Sequence, residues 1–262
     1  MSHILLTIVF SVLISILSYK LKFLTKSGAV AVFMLAIFIY GIGGLRWTTP
    51  ILTFFILSSI LSKIRKNKNI LVDELFDKNS KRDAMQVFSN GGFGCLLVII
   101  NYFIPSELLF IVFVSSIATV CADTWSTEIG TMFKTKTFNI TNFSSVMQGT
   151  SGGISFVGTA GGIAGSIIIC LISLGYTYLN YFSFVLIVVS SALFGNIMDS
   201  ILGALFQAQF KCSRCGIITE RKKHCSSDSI LVKGYLWMNN DFVNFTASIL
   251  GGLFSIIFLL LK

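Results

Sequence analysis

Acidic and amide side chains stand at the ends of apolar runs in this chain. Asp123 and Glu128 close the stretch FIVFVSSIATVCADTWSTEIG (110–130). Asp199 lies inside GNIMDSILGALFQAQ (195–209), preceding Ser200 and, by about two helical turns, Gln207. Asp241 sits among Asn239, Asn240 and Asn244 in MNNDFVNF (238–245). KRDAMQVFSNGG (81–92) adds Lys81, Arg82, Asn90, Gly91 and Gly92, and QGTSGGISFVGTAGG (148–162) adds Gly152 and Gly153. A charge inside hydrocarbon costs several kcal/mol unless it meets a partner, a pathway or water, which makes intramembrane acids candidates for a functional site. Asp199 could instead be a helix-packing acceptor, and Asp241 an ordinary helix N-cap. Asp123 and Glu128 are five apart, so an unbroken helix would turn them about 140° from each other. Either the helix ends near Asp123 and the chain turns, the favoured reading, or the two serve different partners. The glycine pairs 91–92 and 152–153, read as helix starts, could offer free N–H groups to an anion. The run GTAGGIAGS has no lysine, which excludes a Walker-type phosphate loop.

A second kind of chemistry is written in CSRCGIITERKKHC (212–225). Cys212, Cys215, His224 and Cys225 supply four soft ligands that suit a structural zinc. The other reading is reduced, unliganded thiols, because adjacent His224 and Cys225 would strain to reach one ion. Such a metal would fold the loop and take no part in catalysis. Cys95, Cys121 and Cys170 lie in apolar runs and read as small packing residues.

The elements that must hold these residues are membrane helices. The chain is 54% hydrophobic and 12% charged, about half the charged share of a soluble domain. Apolar runs of spanning length recur at roughly 3–19, 28–45, 47–62, 84–104, 107–123, 152–174, 182–206 and 242–261. The expected fold is therefore all-α: one polytopic domain over 1–262, a bundle of about eight transmembrane helices, with 207–241 as a basic Cys/His loop. Lys20, Lys22 and Lys26 fall in the first connection, and Lys63, Arg65, Lys66, Lys68, Lys78, Lys81 and Arg82 in the third. The fifth holds Lys134 and Lys136, and the seventh Lys211, Arg214, Arg221, Lys222, Lys223 and Lys233. Of the 20 Lys and Arg, that leaves only Arg46 and Lys262. By the positive-inside rule these alternate connections are cytoplasmic and both termini are not. The net charge of +9 then reports membrane topology, not a nucleic-acid partner. The basic segment 63–82 is expected to lie along an anionic leaflet.

With that topology all five polar clusters share the cytoplasmic side, each opening or closing one of spans four to eight, and one cavity open to the cell interior accounts for them together. Gly158, Gly162 and Ser166 read as a close helix-packing stripe. A faint internal echo pairs Asn90-Gly-Gly and Asp123-Thr124 with Ser151-Gly-Gly and Asp199-Ser200, as a parallel duplication would.

The ordered stretches RDAMQVFSNGG, ADTWSTEIG, GTSGGIS, GNIMDSILGALFQ, CSRCG…TER…HC and NNDFVNF resemble the integral-membrane family of uncharacterised domain 92, the transmembrane protein 19 group, over about residues 1–262. Its plant members include a phytyl-phosphate kinase of prenyl-alcohol salvage. The resemblance implies transfer of a phosphoryl group from a nucleoside triphosphate, CTP or ATP, to an isoprenoid monophosphate of phytyl or geranylgeranyl type. It implies Mg²⁺ held by Asp123, Glu128 and Asp199, and phosphate oxygens met by Lys81 and Arg82. Asn90, Asn239, Asn240 and Asn244 would orient nucleotide or phosphate near Thr124, Ser200 and Gln207, with the prenyl tail entering sideways from the bilayer. A secondary transporter or lipid flippase with intramembrane carboxylates is the alternative. Against it, the outer halves of the spans lack polar residues.

Overall fold

The computed structural model describes residues 2–69, 75–76 and 81–260; Lys78 and Lys262, counted in the charge pattern above, lie outside the described residues. The first helix, α1, spans Ser2–Lys20. The next runs Lys26–Lys68, 43 residues with non-helical backbone at Gly44 (φ 65°, ψ −159°). Unbroken, it would be about 64 Å long, twice the hydrocarbon core of about 30 Å. Its contacts report a reversal instead. Gly28, near its start, abuts the backbone of Arg82, and the Arg82 guanidinium lies over Phe54 and Phe55. Arg65 pairs with Glu128, whereas Arg46, beside the break, pairs with Glu107 at the opposite end of the same partner helix. The two limbs, 26–43 (α2) and 45–68 (α3), are therefore antiparallel. Gly44 permits the turn because its positive φ is open to glycine and strained for other residues.

The remaining helices are α4 (Ala84–Phe103), α5 (Glu107–Met132), α6 (Phe156–Ser173), α7 (Tyr181–Leu205) and α8 (Asn240–Leu260). Counting the broken helix once, seven helices among the described residues are long and apolar enough to cross a membrane. The expected multispanning helical bundle is what the chain forms. Its axis is α5, in which every residue from Phe110 to Ala122 is buried, ringed by α3, α4, α6, α7 and α8. Small residues allow that crowding. A Cβ on Gly162 of α6 would come within 3.0 Å of the Ala122 carbonyl oxygen, and one on Gly195 of α7 within 2.3 Å of Thr119. The packing stripe expected at Gly158, Gly162 and Ser166 thus lies on the α6 face that meets α5.

Two helix boundaries and the two long loops differ from expectation. Helix α5 does not end near Asp123 but continues to Met132. Helix α6 starts at Phe156, after an N-cap at Ser155, so Gly152 and Gly153 precede it in a turn and a strand. The two long loops fold into small antiparallel sheets. The first contains β1 (Thr137–Asn139), β2 (Ser145–Val146) and β3 (Gly153–Ile154) in the order β2-β1-β3. The second contains β4 (Gln209–Cys212), β5 (Ile218–Thr219), β6 (Lys223–His224) and β7 (Ser227–Lys233) in the order β5-β4-β7-β6. Both lie at the end of the bundle that holds Arg82 and Glu128. At the other end, His3 of α1 stacks on Tyr40 of α2, and the α5 start is fastened by Arg46, Thr177 and the Tyr178 amide, all donating to Glu107.

Candidate active site

Arg82 shows how local sequence builds the site. Asp83 caps α4 in a reciprocal box with Gln86, fixing the helix start two residues after Arg82. Arg82 N–H donates to Phe23 O at 3.0 Å, and Thr25 N–H donates back to Arg82 O at 3.0 Å. Gly28 allows that approach, since a Cβ there would lie 2.2 Å from Arg82 O. The backbone is thus pinned to the start of α2, and the side chain turns inward to 8% exposure. Burial pushes the Arg82 pKa down to about 10, against the pull of nearby Glu128, so it remains a cation at neutral pH.

Arg82 lines a cavity of about 220 Å³ walled by the same-side ends of α3, α4, α5, α6, α7 and α8. Around it stand Asp123, Thr124, Glu128, Asp199, Ser200, Asn90, Gly152, Gly153, Gln207, Asn239, Asn240, Asp241 and Asn244. The carboxyl groups of Asp123 on α5 and Asp199 on α7 are within hydrogen-bonding reach of each other. With its amide turned so that nitrogen faces Asp199, Asn244 donates to Asp199 Oδ2 at 3.1 Å. Asp123 and Asp199, one from each half of the sequence echo, therefore face each other.

Other expectations need correction. Because α5 continues past Asp123, Glu128 serves a different partner. Its Oε2 accepts from Arg65 Nε at 2.7 Å and its Oε1 from Ser62 Oγ at 2.5 Å. Arg65 is 3% exposed, so this arginine of the basic segment 63–82 does not lie along a leaflet. Gly91 and Gly92 are well inside α4, where backbone N–H groups already serve the helix; they cannot hold an anion and do not line the cavity. Gly91 instead packs against Leu35 and Ile51. Lys81 is exposed and outside the cavity wall. Gly152, at φ +77°, is needed for contact: a Cβ there would sit 2.3 Å from that of Ala204 on α7. The α8 cap is Asn239, whose Oδ1 accepts from Phe242 N–H at 3.0 Å, leaving Asp241 as a buried wall residue, 3% exposed.

Sequence reasoning missed Arg65, Gln86, Asn196 and Glu220, all in the wall. Ser58, Ser62 and Arg65 follow one another at helical spacing, a polar stripe that could have flagged the arginine. Asn196 donates to Ser126 at 2.8 Å. Glu220 accepts from Ser151 at 2.9 Å and from Gln207 at 2.7 Å; it stands in the TER stretch of the resemblance, but as a lone acid among arginine and lysines its charge pattern gave it no role. Cys212, Cys215, His224 and Cys225 come together apart from the cavity, in the second sheet, with their ligand atoms all within 4.8 Å of one another.

Residues 9–252 match the family described as integral membrane protein DUF92. The chain belongs to that family. All the cavity residues named above fall inside the matched DUF92 segment. Among similar proteins, Protein PGR of Arabidopsis thaliana is 31% identical over 235 residues, 79% of this chain and 80% of that protein. Uncharacterized membrane protein MJ0933 of Methanocaldococcus jannaschii is 29% identical over 240 residues, 91% of this chain and 87% of that one. Protein VTE6, chloroplastic, of Arabidopsis thaliana is 24% identical over 239 residues, 89% of this chain and 65% of that one. No solved structure matches the chain.

Proposed function

We propose that this DUF92 protein is an integral membrane enzyme that transfers a phosphoryl group from a nucleoside triphosphate to an isoprenoid monophosphate, at a cavity facing the cytoplasm. The observation that carries the reading is the contact between Asp123 and Asp199 in a wall that also presents Arg82 and Arg65. Two touching carboxylates need a proton or a cation between them. The wall's acids Asp123, Glu128, Asp199, Glu220 and Asp241 outnumber its arginines. A triphosphate would be repelled unless divalent cations enter with it, and Mg²⁺ uses one or two carboxylates plus substrate phosphates. Asp123 and Asp199 fit that role. Glu128, already tied to Arg65 and Ser62, fits it less well than the resemblance implied. Bound there, Mg²⁺ would supply neutralisation of phosphate charge.

The chain's own residues would do the rest. Arg82 and Arg65 can donate to phosphate oxygens, and Arg does so bidentately. Asn240, Asn244 and Asn90 offer amides to orient phosphate or nucleotide. The acceptor is a phosphate monoester, anionic at neutral pH with a second pKa near ~6, so no general base is required. None of the usual kind lines the wall among the described residues: His3 is at the far end and His224 in the second sheet.

A second hollow supports a lipid acceptor. An apolar groove of about 80 Å³ runs between α1, α2, α3 and α4, lined by Phe10, Leu35, Ile39, Ile51 and Phe55, and it shares Arg82, Gln86 and Asn90 with the polar cavity. A prenyl tail in the groove would bring its phosphate to Arg82. The cytoplasmic orientation is supported by Lys20, Lys26, Lys63, Lys66 and Lys68 at the cavity end of the bundle. The test is to incubate purified protein with Mg²⁺, CTP or ATP, and phytyl or geranylgeranyl phosphate. Prenyl diphosphate is the expected product. No product with any pairing, together with nucleotide-independent uptake of solute by proteoliposomes, would replace the reading with transport.

A further inference from the structure

The second sheet holds a feature that phosphoryl transfer does not use. Cys212 ends β4, Cys215 follows in the turn, His224 ends β6 and Cys225 comes next. His224 Nδ1 lies 3.4 Å from Cys215 Sγ and 3.2 Å from Cys225 Sγ. Ligands at ~2.0–2.3 Å from a tetrahedral centre stand about 3.3–3.8 Å from one another. These spacings, with all four atoms inside 4.8 Å, are near those of a closed tetrahedral shell.

The backbone explains how adjacent residues can share one centre. Cys225 and Ser226 have φ of 52° and 57°, a left-handed pair in non-glycine residues. Such conformations cost about 1–3 kcal/mol each and persist where surroundings over-determine them. The reversal turns the Cys225 sulfur back toward the His224 ring, so the strain that adjacency suggested is taken up by the backbone of Cys225 and Ser226. Gly216, at φ 74°, closes the Cys212–Cys215 turn at no such cost. His224 and Cys212 are buried while Cys215 and Cys225 are exposed, so the shell is half covered and open to metal loading.

The same lobe carries a cavity residue. Glu220 stands between the two ligand pairs, just after β5. Its N–H donates to Leu75 O at 3.0 Å, Thr219 Oγ1 donates to Leu75 O at 2.8 Å, and Arg221 Nε donates to Phe76 O at 2.6 Å. The segment is thus laid over the cavity rim, and the Glu220 carboxylate enters it to meet Ser151 and Gln207. Strands of two residues, β5 and β6, bury little apolar surface and need another fastening.

We propose that Cys212, Cys215, His224 and Cys225 form a closed four-ligand zinc site, and that the zinc clips the lobe which seats Glu220 at the cavity rim. The ligand set selects the metal: thiolates with one imidazole favour zinc over the oxygen-seeking Mg²⁺. Glu220 is here a positioning group on the rim, held there through the lobe.

The test uses the full chain, purified in detergent with a tag free of histidine and without chelator. Elemental analysis should find about one zinc per chain, and Cys215→Ser and Cys225→Ser should each lower it roughly tenfold. Zinc below about a tenth per chain in the wild type, or zinc retained by both variants, overturns the site. Should the variants fail to fold, stripping wild-type protein with a chelator and restoring zinc gives the second measurement. Limited proteolysis within 209–233 should accelerate on stripping and slow again on reloading, with the helices uncut. Cleavage unchanged by the metal overturns the clip. Neither readout depends on catalytic activity, so this proposal and the kinase reading fail separately.

Discussion

Arg65 of α3 and Glu128 of α5 form an ion pair of 2.7 Å with side-chain exposures of 4% and 12%. It joins two helices at the cavity wall, with Ser62 donating to the other carboxylate oxygen. Removing one partner of such a buried pair leaves an uncompensated charge, at a cost of about 3–5 kcal/mol. Glu128→Gln and Arg65→Met should each lower the midpoint of thermal unfolding in detergent. The double variant Arg65→Met, Glu128→Met should recover part of the loss, because no lone charge remains. A double variant no more stable than the worse single one would mean that the pair does not couple α3 to α5.

The contact between Asp123 and Asp199 makes a different prediction. Asparagine is nearly isosteric and keeps a hydrogen bond to the remaining carboxyl, so Asp123→Asn and Asp199→Asn should leave yield and elution profile unchanged. Each removes a charge that would hold a cation. Loss of one preorganised electrostatic group commonly costs about 10²–10³ in rate, and initial rates of diphosphate formation should fall by at least that much. Wild-type activity should also vanish on chelation and return with Mg²⁺. A variant retaining near-normal turnover would remove that aspartate from the site.

Much of this architecture could be read before any coordinates, for identifiable reasons. Membrane spans announce themselves by length and apolar content, so even the reversal at Gly44 was legible as two runs with a polar-poor turn between them. Convergence of the clusters around Asp123, Asp199 and Asn240 followed from placing charged loops on one side. Pattern reading could not see which way each side chain turns. Gly91 and Gly92 resembled a helix start because Asn90 precedes them, yet the true start is set by the Asp83 box with Gln86. Arg65 looked like its lysine neighbours because its inward direction depends on the phase of α3. Glu220 was hidden because its place depends on Leu75 and Phe76, about 145 residues earlier in the chain.

Arg82 and Lys81 are neighbours that the structure separates, and the difference can be measured. Arg82 is buried in the wall shared by cavity and groove, whereas Lys81 is exposed and outside both. A charge-assisted hydrogen bond is worth about 1.5–3 kcal/mol, so Arg82→Met should raise KM for the prenyl phosphate by about tenfold to a hundredfold. Arg82→Lys should fall between, retaining charge without the planar fork. Lys81→Ala should change neither KM nor kcat appreciably. Equal effects of Lys81→Ala and Arg82→Met would argue for diffuse attraction by the basic surface instead of a defined contact.

The apolar groove predicts selectivity by chain length. Ile51 of α3 lies in its wall close to Gly91 of α4. Ile51→Trp adds an aromatic bulk to a hollow of about 80 Å³, so it should obstruct a long tail and spare a short one. Turnover of phytyl or geranylgeranyl phosphate should fall by about tenfold, which corresponds to about 1.4 kcal/mol. Turnover of a short prenyl phosphate should change little, and KM for the nucleotide should stay the same, because the nucleotide would bind in the polar cavity. Folding is checked independently by the melting midpoint, since overpacking costs about 1–3 kcal/mol. If long and short acceptors lose activity in equal proportion, the groove does not hold the tail, and the acceptor chain must run along the outside of the bundle.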